Sequence, residues 1–254
     1  MIHPTAIIHP KAQIGPDCEI GPYCVIGEHV VLGPRCSLLS HVTIDGHTTL
    51  GAENEIYPFA SLGHRSQDLK WKGGTTYLDI GDKNTIRECV TIHCATGDGE
   101  RTIIGSNNAI LAGSHVGHNA VLGNRIIVSM SGLAGHVTIE DFAVVGGHSA
   151  VHQFCRIGTM SMIGGCSRIA QDVPPYMMVE GNPSATRTVN KIGLERNGVS
   201  EEAQSALKKA FKILFRSGLT VPNALIQLER DVPPLPEIQH LVGFVKSSER
   251  GLVR

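Results

Sequence analysis

The chain has 254 residues, a formal net charge of −1, aromatic side chains at only 4% and 29 glycines. A near-neutral balance argues against a binder of polyanions such as nucleic acid, and so few aromatics rule out a core of large rings in favour of a regular aliphatic one. No apolar run reaches membrane-spanning length and the N-terminus carries no secretory leader pattern; seven cysteines without a CxxC pair read as reduced thiols, so the expected compartment is the cytoplasm.

Steps of six from Ile2 land on Ile8, Ile14, Ile20, Ile26, Leu32, Leu38, Ile44, Leu50, Ile56 and Leu62, all Ile or Leu. The pattern returns at Ile80, Ile86 and Ile92, and again from Ile104 through Ile110, Val116 and Leu122 to Val128. After one five-residue unit at 128–132 it runs from Leu133 through Ile139, Val145, Val151, Ile157 and Ile163 to Ile169. A period of six with an inward aliphatic residue is the hexapeptide repeat of a parallel β-helix, in which glycine or a small polar residue is expected to serve the turn. Cys18, Cys24 and Cys36 follow the same spacing.

Two stretches leave the period: "HRSQDLKWKGGTTYLD" at 64–79, with the single tryptophan, and "CATGDGERT" at 94–102. Both read as loops leaving the coil, of a kind that solenoids tolerate as neutral insertions. The repeat is expected to end near Asp172, because the two prolines of "DVPPY" remove ladder donors. Beyond it, Ser200 as N-cap, Glu201 and Glu202 in the first turn, apolar residues at helical spacing and a closing Gly218 predict a helix. Shorter helices are expected near 222–231 and 236–247. The division is therefore a β-helix over 1–186 and a small α-helical domain over 187–254.

Stacked coils turn sequence spacing into neighbours. The residues two after the inward Val116, Leu133 and Val151 are His118, Gly135 and Gln153, which should form one column flanked by His136 and His152, with Asn119 next to His118 and His115 at the neighbouring corner. A histidine there can take a proton from a hydroxyl. A glycine beside it offers an unobstructed N–H to an oxyanion. This is the equipment for acyl transfer to an alcohol. Histidines elsewhere on the outer wall, such as His3, His9, His29, His41 and His47, read as solvated. His115-x-x-His118 has ligand spacing but no evident third ligand, so no metal site is expected. P-loop, GxGxxG and GxSxG motifs are absent, which disfavours nucleotide hydrolysis, dinucleotide binding and a serine hydrolase.

Over its whole length the chain resembles the acyl-ACP–UDP-N-acetylglucosamine O-acyltransferase family of hexapeptide-repeat transferases, which opens lipid A synthesis. The carrying segments are "NEIYPFASLG" (54–63), "QDLKW" (67–71), "NTIRECVTIH" (84–93), "SHVGHNAVLGNR" (114–125), "LAGHVTIEDFAVVGG" (133–147), "AVHQFCRIG" (150–158), "GGCSRIAQDVPPY" (164–176), "RSGLT" (216–220) and "RGLVR" at the end. The resemblance implies a left-handed coil and a homotrimer with active sites between subunits. It implies transfer of an (R)-3-hydroxyacyl chain from phosphopantetheinylated acyl carrier protein to the sugar 3-hydroxyl, with no cofactor of the enzyme's own. It makes His118 the general base and Gly135 the oxyanion amide. Gln67, Asp68 and Lys70 become contacts to the sugar nucleotide, His115, His136, His152, Gln153 and Asn190 further substrate contacts, and Arg196 a basic one. Gly165, with Gly147 in the column beside it, becomes the acyl-chain ruler, where glycine goes with long chains of about twelve to fourteen carbons whose methylenes each contribute about 0.8 kcal/mol.

Three departures stand out. The family's aspartate after the base is Asn119, a family glutamate is Ile192, and a second arginine is Asn197. The five-residue unit beside Gly135 could tilt that glycine relative to His118. A slower enzyme, a sugar with an amine at position 3, an acetyl-CoA-dependent transferase and a silent trimeric binding protein remain alternatives at this point. Between Arg187 and Arg216 the basic residues Arg187, Lys191, Arg196, Lys208, Lys209, Lys212 and Arg216 outnumber the acidic Glu195, Glu201 and Glu202. Such a patch would suit an acidic carrier protein or would be an ordinary solvated helix face.

Overall fold

The computed structural model describes residues 1–254. Strands, most of them two residues long, wind into a left-handed parallel β-helix with three faces. From Ile7 to Ile169 each strand pairs in parallel with the third one along the chain, as in Ile8↔Ile26 and Ile26↔Ile44. The inward residues from Ile20 to Ile169 are buried and fill a single core of 40 residues. Each buried Ile or Leu stabilises the stack by roughly 1.5–3 kcal/mol. Ile2 is an exception at 52% exposed, because the first coil has nothing stacked on its open side. Cys18, Cys24 and Cys36 sit at buried corners and donate Sγ–H to the carbonyls of Gly33, Leu39 and Gly51 one coil on.

The corners correct the expected role of glycine. The residue in the left-handed region lies three after the inward one and is rarely glycine: Tyr23, His41, Phe59, Asn119, His136 and Phe154 all have φ between 58° and 64°. Glycine instead follows the inward residue directly, where the next coil is nearest. A Cβ on Gly21 would stand 2.1 Å from the Leu39 carbonyl oxygen. Close stacking, not turn conformation, demands it there.

The stack runs one strand past the expected end of the repeat near Asp172. Val173 is fully buried, its N–H donates to the Arg156 carbonyl and its carbonyl accepts from Gly158. Pro174 stands where earlier coils donate, as Gly158 N–H does to the Val173 carbonyl, but Val173 is the last residue paired on its face, so that donor has no partner to reach; Pro175 takes the corner position that Pro22 and Pro34 hold in earlier coils, before Tyr176 (φ 67°). The stack continues through strand Met177–Gly181, and the antiparallel strand Ser184–Val189 is added to its edge, across the 186/187 division. The chain end returns to this region: Val253 N–H donates to the Asp172 carbonyl, and Val253 joins the β-helix core.

Four helices follow: α1 (Lys191–Arg196), α2 (Glu201–Arg216), α3 (Val221–Asp231) and α4 (Pro236–Lys246). The Ser200 hydroxyl accepts from Ala203 N–H and caps α2. Ala203, Leu207, Ala210 and Leu214 are buried as the spacing requires, while Phe211 and Phe215 are only half-buried at the rim of the 17-residue second core. The six-residue α1 was not anticipated. No helix is long and apolar enough to cross a membrane.

Candidate active site

Strands His115–Val116, Gly132–Leu133 and Ala150–Val151 lie side by side on one face, in register Val116↔Leu133↔Val151. The corner after them therefore stacks His118, Gly135 and Gln153 as the spacing predicts. His136 N–H donates to the His118 carbonyl at 2.9 Å, and Phe154 N–H to the Gly135 carbonyl at 3.2 Å. The short unit does not disturb this. Its missing residue is absorbed at the preceding corner, where Met130 takes the left-handed conformation (φ 39°), and pairing is regular again at Gly132.

The His118 ring lies against Gly135 so closely that a Cβ there would be 2.3 Å from Cε1 and 2.4 Å from Nε2. The Gly135 N–H makes no hydrogen bond within the chain. His118 Nδ1 is 2.9 Å from Asn119 Oδ1, and Nε2 faces Asp68 Oδ2 at 3.8 Å. His136 stands edge-on to His118 at 5.3 Å and stacks on Phe154 at 4.6 Å. Burial first, and the neighbouring His118 second, depress the His136 pKa; burial also depresses that of His115.

Asp68 comes from the first loop, residues 65–76, which folds back over this corner. It is held by an Asx turn, Lys70 N–H to Asp68 Oδ1 at 2.9 Å, and by Ser66, whose hydroxyl meets Thr96 Oγ1 of the second loop at 2.6 Å. Thr75 N–H binds Asp98 Oδ1 at 2.7 Å, tying the two loops a second time. Between the first loop and the histidine corner lies a polar cleft of about 430 Å³, lined by Gln67, Asp68, Lys70, His115, His118, Gly135 and Gln153 together with Leu69, His93 and Gly117. His115 corrects the sequence reading in one respect. It lies on a strand of the flat face, not at a corner, with Nδ1 2.8 Å from Thr91 Oγ1. No group of three His, Cys, Asp or Glu is gathered as metal ligands would be.

His115 and His152 frame a second groove of about 420 Å³ on the same face, floored by Gly132, Leu133, Ala134, Ala150 and Val151 and closed by Arg168. The strands of this face begin at the corner that holds Gly147 and Gly165. Neither glycine has a positive φ, and a Cβ on Gly147 would meet only Ser129 O, at 3.9 Å. The lack of a side chain leaves open space at Gly147, while a Cβ on Gly165 would stand 3.2 Å from the Gly147 carbonyl oxygen. Asn190 and Arg196 do not line the cleft. Asn190 caps α1 and donates to the Met160 carbonyl, and Arg196 is exposed at the end of that helix.

Glu100, Thr96 and His93 join this neighbourhood without any signal in the hexad spacing. Glu100 Oε2 accepts from Asn119 Nδ2 at 2.6 Å and from Gly97 N–H at 2.9 Å. These bonds, that of Gly97 first, hold its carboxyl below the usual range. Thr96 N–H donates to Asn119 Oδ1 at 3.0 Å.

The chain is similar to known proteins over its whole length. Residues 172–253 match the second domain of the family model described as UDP-N-acetylglucosamine O-acyltransferase, and residues 1–34 match that of the bacterial transferase hexapeptide. A UDP-N-acetylglucosamine acyltransferase structure from Bacteroides fragilis is 41% identical, covers 100% of both chains and has a TM-score of 0.97. The UDP-N-acetylglucosamine O-acyltransferase of Moraxella catarrhalis is 44% identical over 100% of this chain and 99% of that one, with a TM-score of 0.94. The acyltransferase of Arabidopsis is 35% identical over the full length of both, with a TM-score of 0.90.

Proposed function

The chain belongs to the UDP-N-acetylglucosamine acyltransferase family and is an acyltransferase, and from that premise we propose that it moves an (R)-3-hydroxyacyl chain from acyl carrier protein to the 3-hydroxyl of UDP-N-acetylglucosamine, the opening step of lipid A synthesis. The observation that carries the reading is the contact of the His118 ring with Gly135, whose N–H is unpaired. His118 Nε2 removes the proton from the sugar hydroxyl as its oxygen attacks the thioester carbonyl carbon. The Gly135 N–H receives the oxyanion. Collapse of the tetrahedral intermediate forms the ester and expels the phosphopantetheine thiolate, which takes the proton back from the imidazolium.

Gln67, Asp68 and Lys70 bind the sugar nucleotide from the loop side of the cleft, with His115, His136 and Gln153 around the reacting groups. The small-floored groove between His115 and His152 takes the acyl chain along the face toward Gly147 and Gly165. Asn190 and Arg196 lie outside the cleft of one chain, which suits a homotrimer whose sites are completed between subunits, as does Leu69, fully exposed in the first loop. The enzyme works in the cytoplasm and needs no cofactor beyond the carrier's own phosphopantetheine. Incubation with a series of 3-hydroxyacyl carrier proteins and UDP-N-acetylglucosamine, read by mass spectrometry, should yield one ester per turnover. A product seen only with acetyl-CoA, or with no donor in the series, overturns the reading.

A further inference from the structure

Asn119 stands between the histidine and a carboxylate, and its two amide ends are fixed by partners of unambiguous chemistry. Its Oδ1 receives the backbone N–H of Thr96 at 3.0 Å, and an amide N–H can only donate. Its Nδ2 meets Glu100 Oε2 at 2.6 Å, and an ionised carboxylate can only accept. The backbone N–H of Asn119 is separately held by Thr102 Oγ1 at 2.8 Å, in the left-handed conformation (φ 60°) of the corner. The amide is therefore not free to flip. Because Oδ1 also faces His118 Nδ1 at 2.9 Å, that nitrogen must carry the proton, and Nε2, the atom facing the cleft, is left as the basic one.

We infer that Glu100 is a positioning residue for this enzyme: acting through Asn119, it fixes the tautomer of His118 and supplies from one residue further out the carboxylate that would otherwise lie directly beside the imidazole. This rests on the reading of His118 as the base. The orienting charge is delivered by the second loop, so the base is in order only when the loop over residues 94–100 is docked, with Gly97 N–H seating the same carboxylate oxygen at 2.9 Å. A neutral amide in contact with a histidine thus does the work of an anion, because the anion polarises and orients the amide.

The test is a crossed set of variants at Glu100 and Asn119. Glu100→Gln and Glu100→Ala should each lower kcat about tenfold, the size of one lost hydrogen bond to a charged group, while the calorimetric Kd for UDP-N-acetylglucosamine stays within twofold. In an Asn119→Asp background a carboxylate meets Nδ1 directly, so replacing Glu100 there should cost nothing or raise kcat by relieving two facing carboxylates. In a His118→Ala background, replacing Glu100 should have no further effect. The inference is overturned if both Glu100 variants keep wild-type kcat, if they cost the same factor with Asp at 119 as with Asn, or if kcat and nucleotide affinity fall together, which would make Glu100 a prop for the loop. Full turnover by His118→Ala would instead remove the base itself. Inert Glu100 variants beside a dead His118→Ala would remove only the relay.

Discussion

His118 lies outside the aliphatic core, held by Asn119 and set against Gly135 and His136, so its removal should leave the coil intact. His118→Ala is expected to lower kcat by roughly 10²-fold or more, the usual size of general-base help, with unchanged circular dichroism and thermal midpoint. Near-wild-type kcat would mean the proton goes elsewhere. Gly165 allows a second test at the same scale. A Cβ there meets Gly147 O at 3.2 Å, so a larger side chain needs that backbone to give by a few tenths of an ångström, and the thermal midpoint of the variant is measured beside its activity. Gly165→Met should shift the donor preference toward shorter chains by filling the space in which several methylenes, each contributing about 0.8 kcal/mol, would lie. An unchanged chain-length profile in a folded variant would put the ruler elsewhere.

Among the elements, α2 has two distinct faces. One side buries Ala203, Leu207, Ala210 and Leu214 against the helical core; the other exposes Lys208, Lys209 and Lys212. Lys209 is partly occupied, since its Nζ donates to the Asp231 carbonyl. Reversing all three charges should raise KM for acyl carrier protein and flatten its dependence on salt, because steering by exposed charge is screened over about 10 Å at 0.1 M ionic strength. The same loss with a small thioester donor would assign the effect to the helix rather than to docking.

At the scale of the whole molecule, the helical core rests on the end of the coil through Met160, Tyr176, Met177 and Val189, and among the polar contacts beside them one titrates. His240 of α4 meets Glu140 of the β-helix at 2.7 Å, with Arg156 Nη2 3.9 Å from the same carboxylate and the Tyr176 ring 6.0 Å from His240. The hydrogen bond to Glu140 raises the His240 pKa above 6.5, against a smaller opposing effect of burial. Burial works to raise the Glu140 carboxyl, but the bonds from His240 and Thr159 N–H and the nearby positive charges hold it below 4.5. A raised histidine stabilises the fold fully below its unfolded pKa and loses that contribution as pH climbs through the folded value; a lowered carboxyl loses its own as pH falls. The urea midpoint of the wild type should therefore exceed that of His240→Gln most clearly between about pH 5 and 6.5, and the gap should close above that range. A gap independent of pH would mean the pair contributes through packing alone.

Much of this architecture is determined by the sequence alone. Burial of one aliphatic residue in six sets the coil, the coil sets the columns, and the columns bring His118, Gly135 and Gln153 together whatever the loops do. Ser200, the apolar spacing of α2 and the prolines opening α3 and α4 mark the helices through the same local chemistry. Only the tertiary structure decides what lies outside the period. Pro174 is tolerated because no further coil pairs beyond Val173 on its face, and glycine is demanded by the approach of the next coil, facts that depend on where the chain already is in space. The loops carrying Asp68 and Glu100 obey no repeat; Ser66 to Thr96 and Thr75 to Asp98 dock them, so the carboxylates near His118 and Asn119 come from contacts between segments that sequence spacing does not relate.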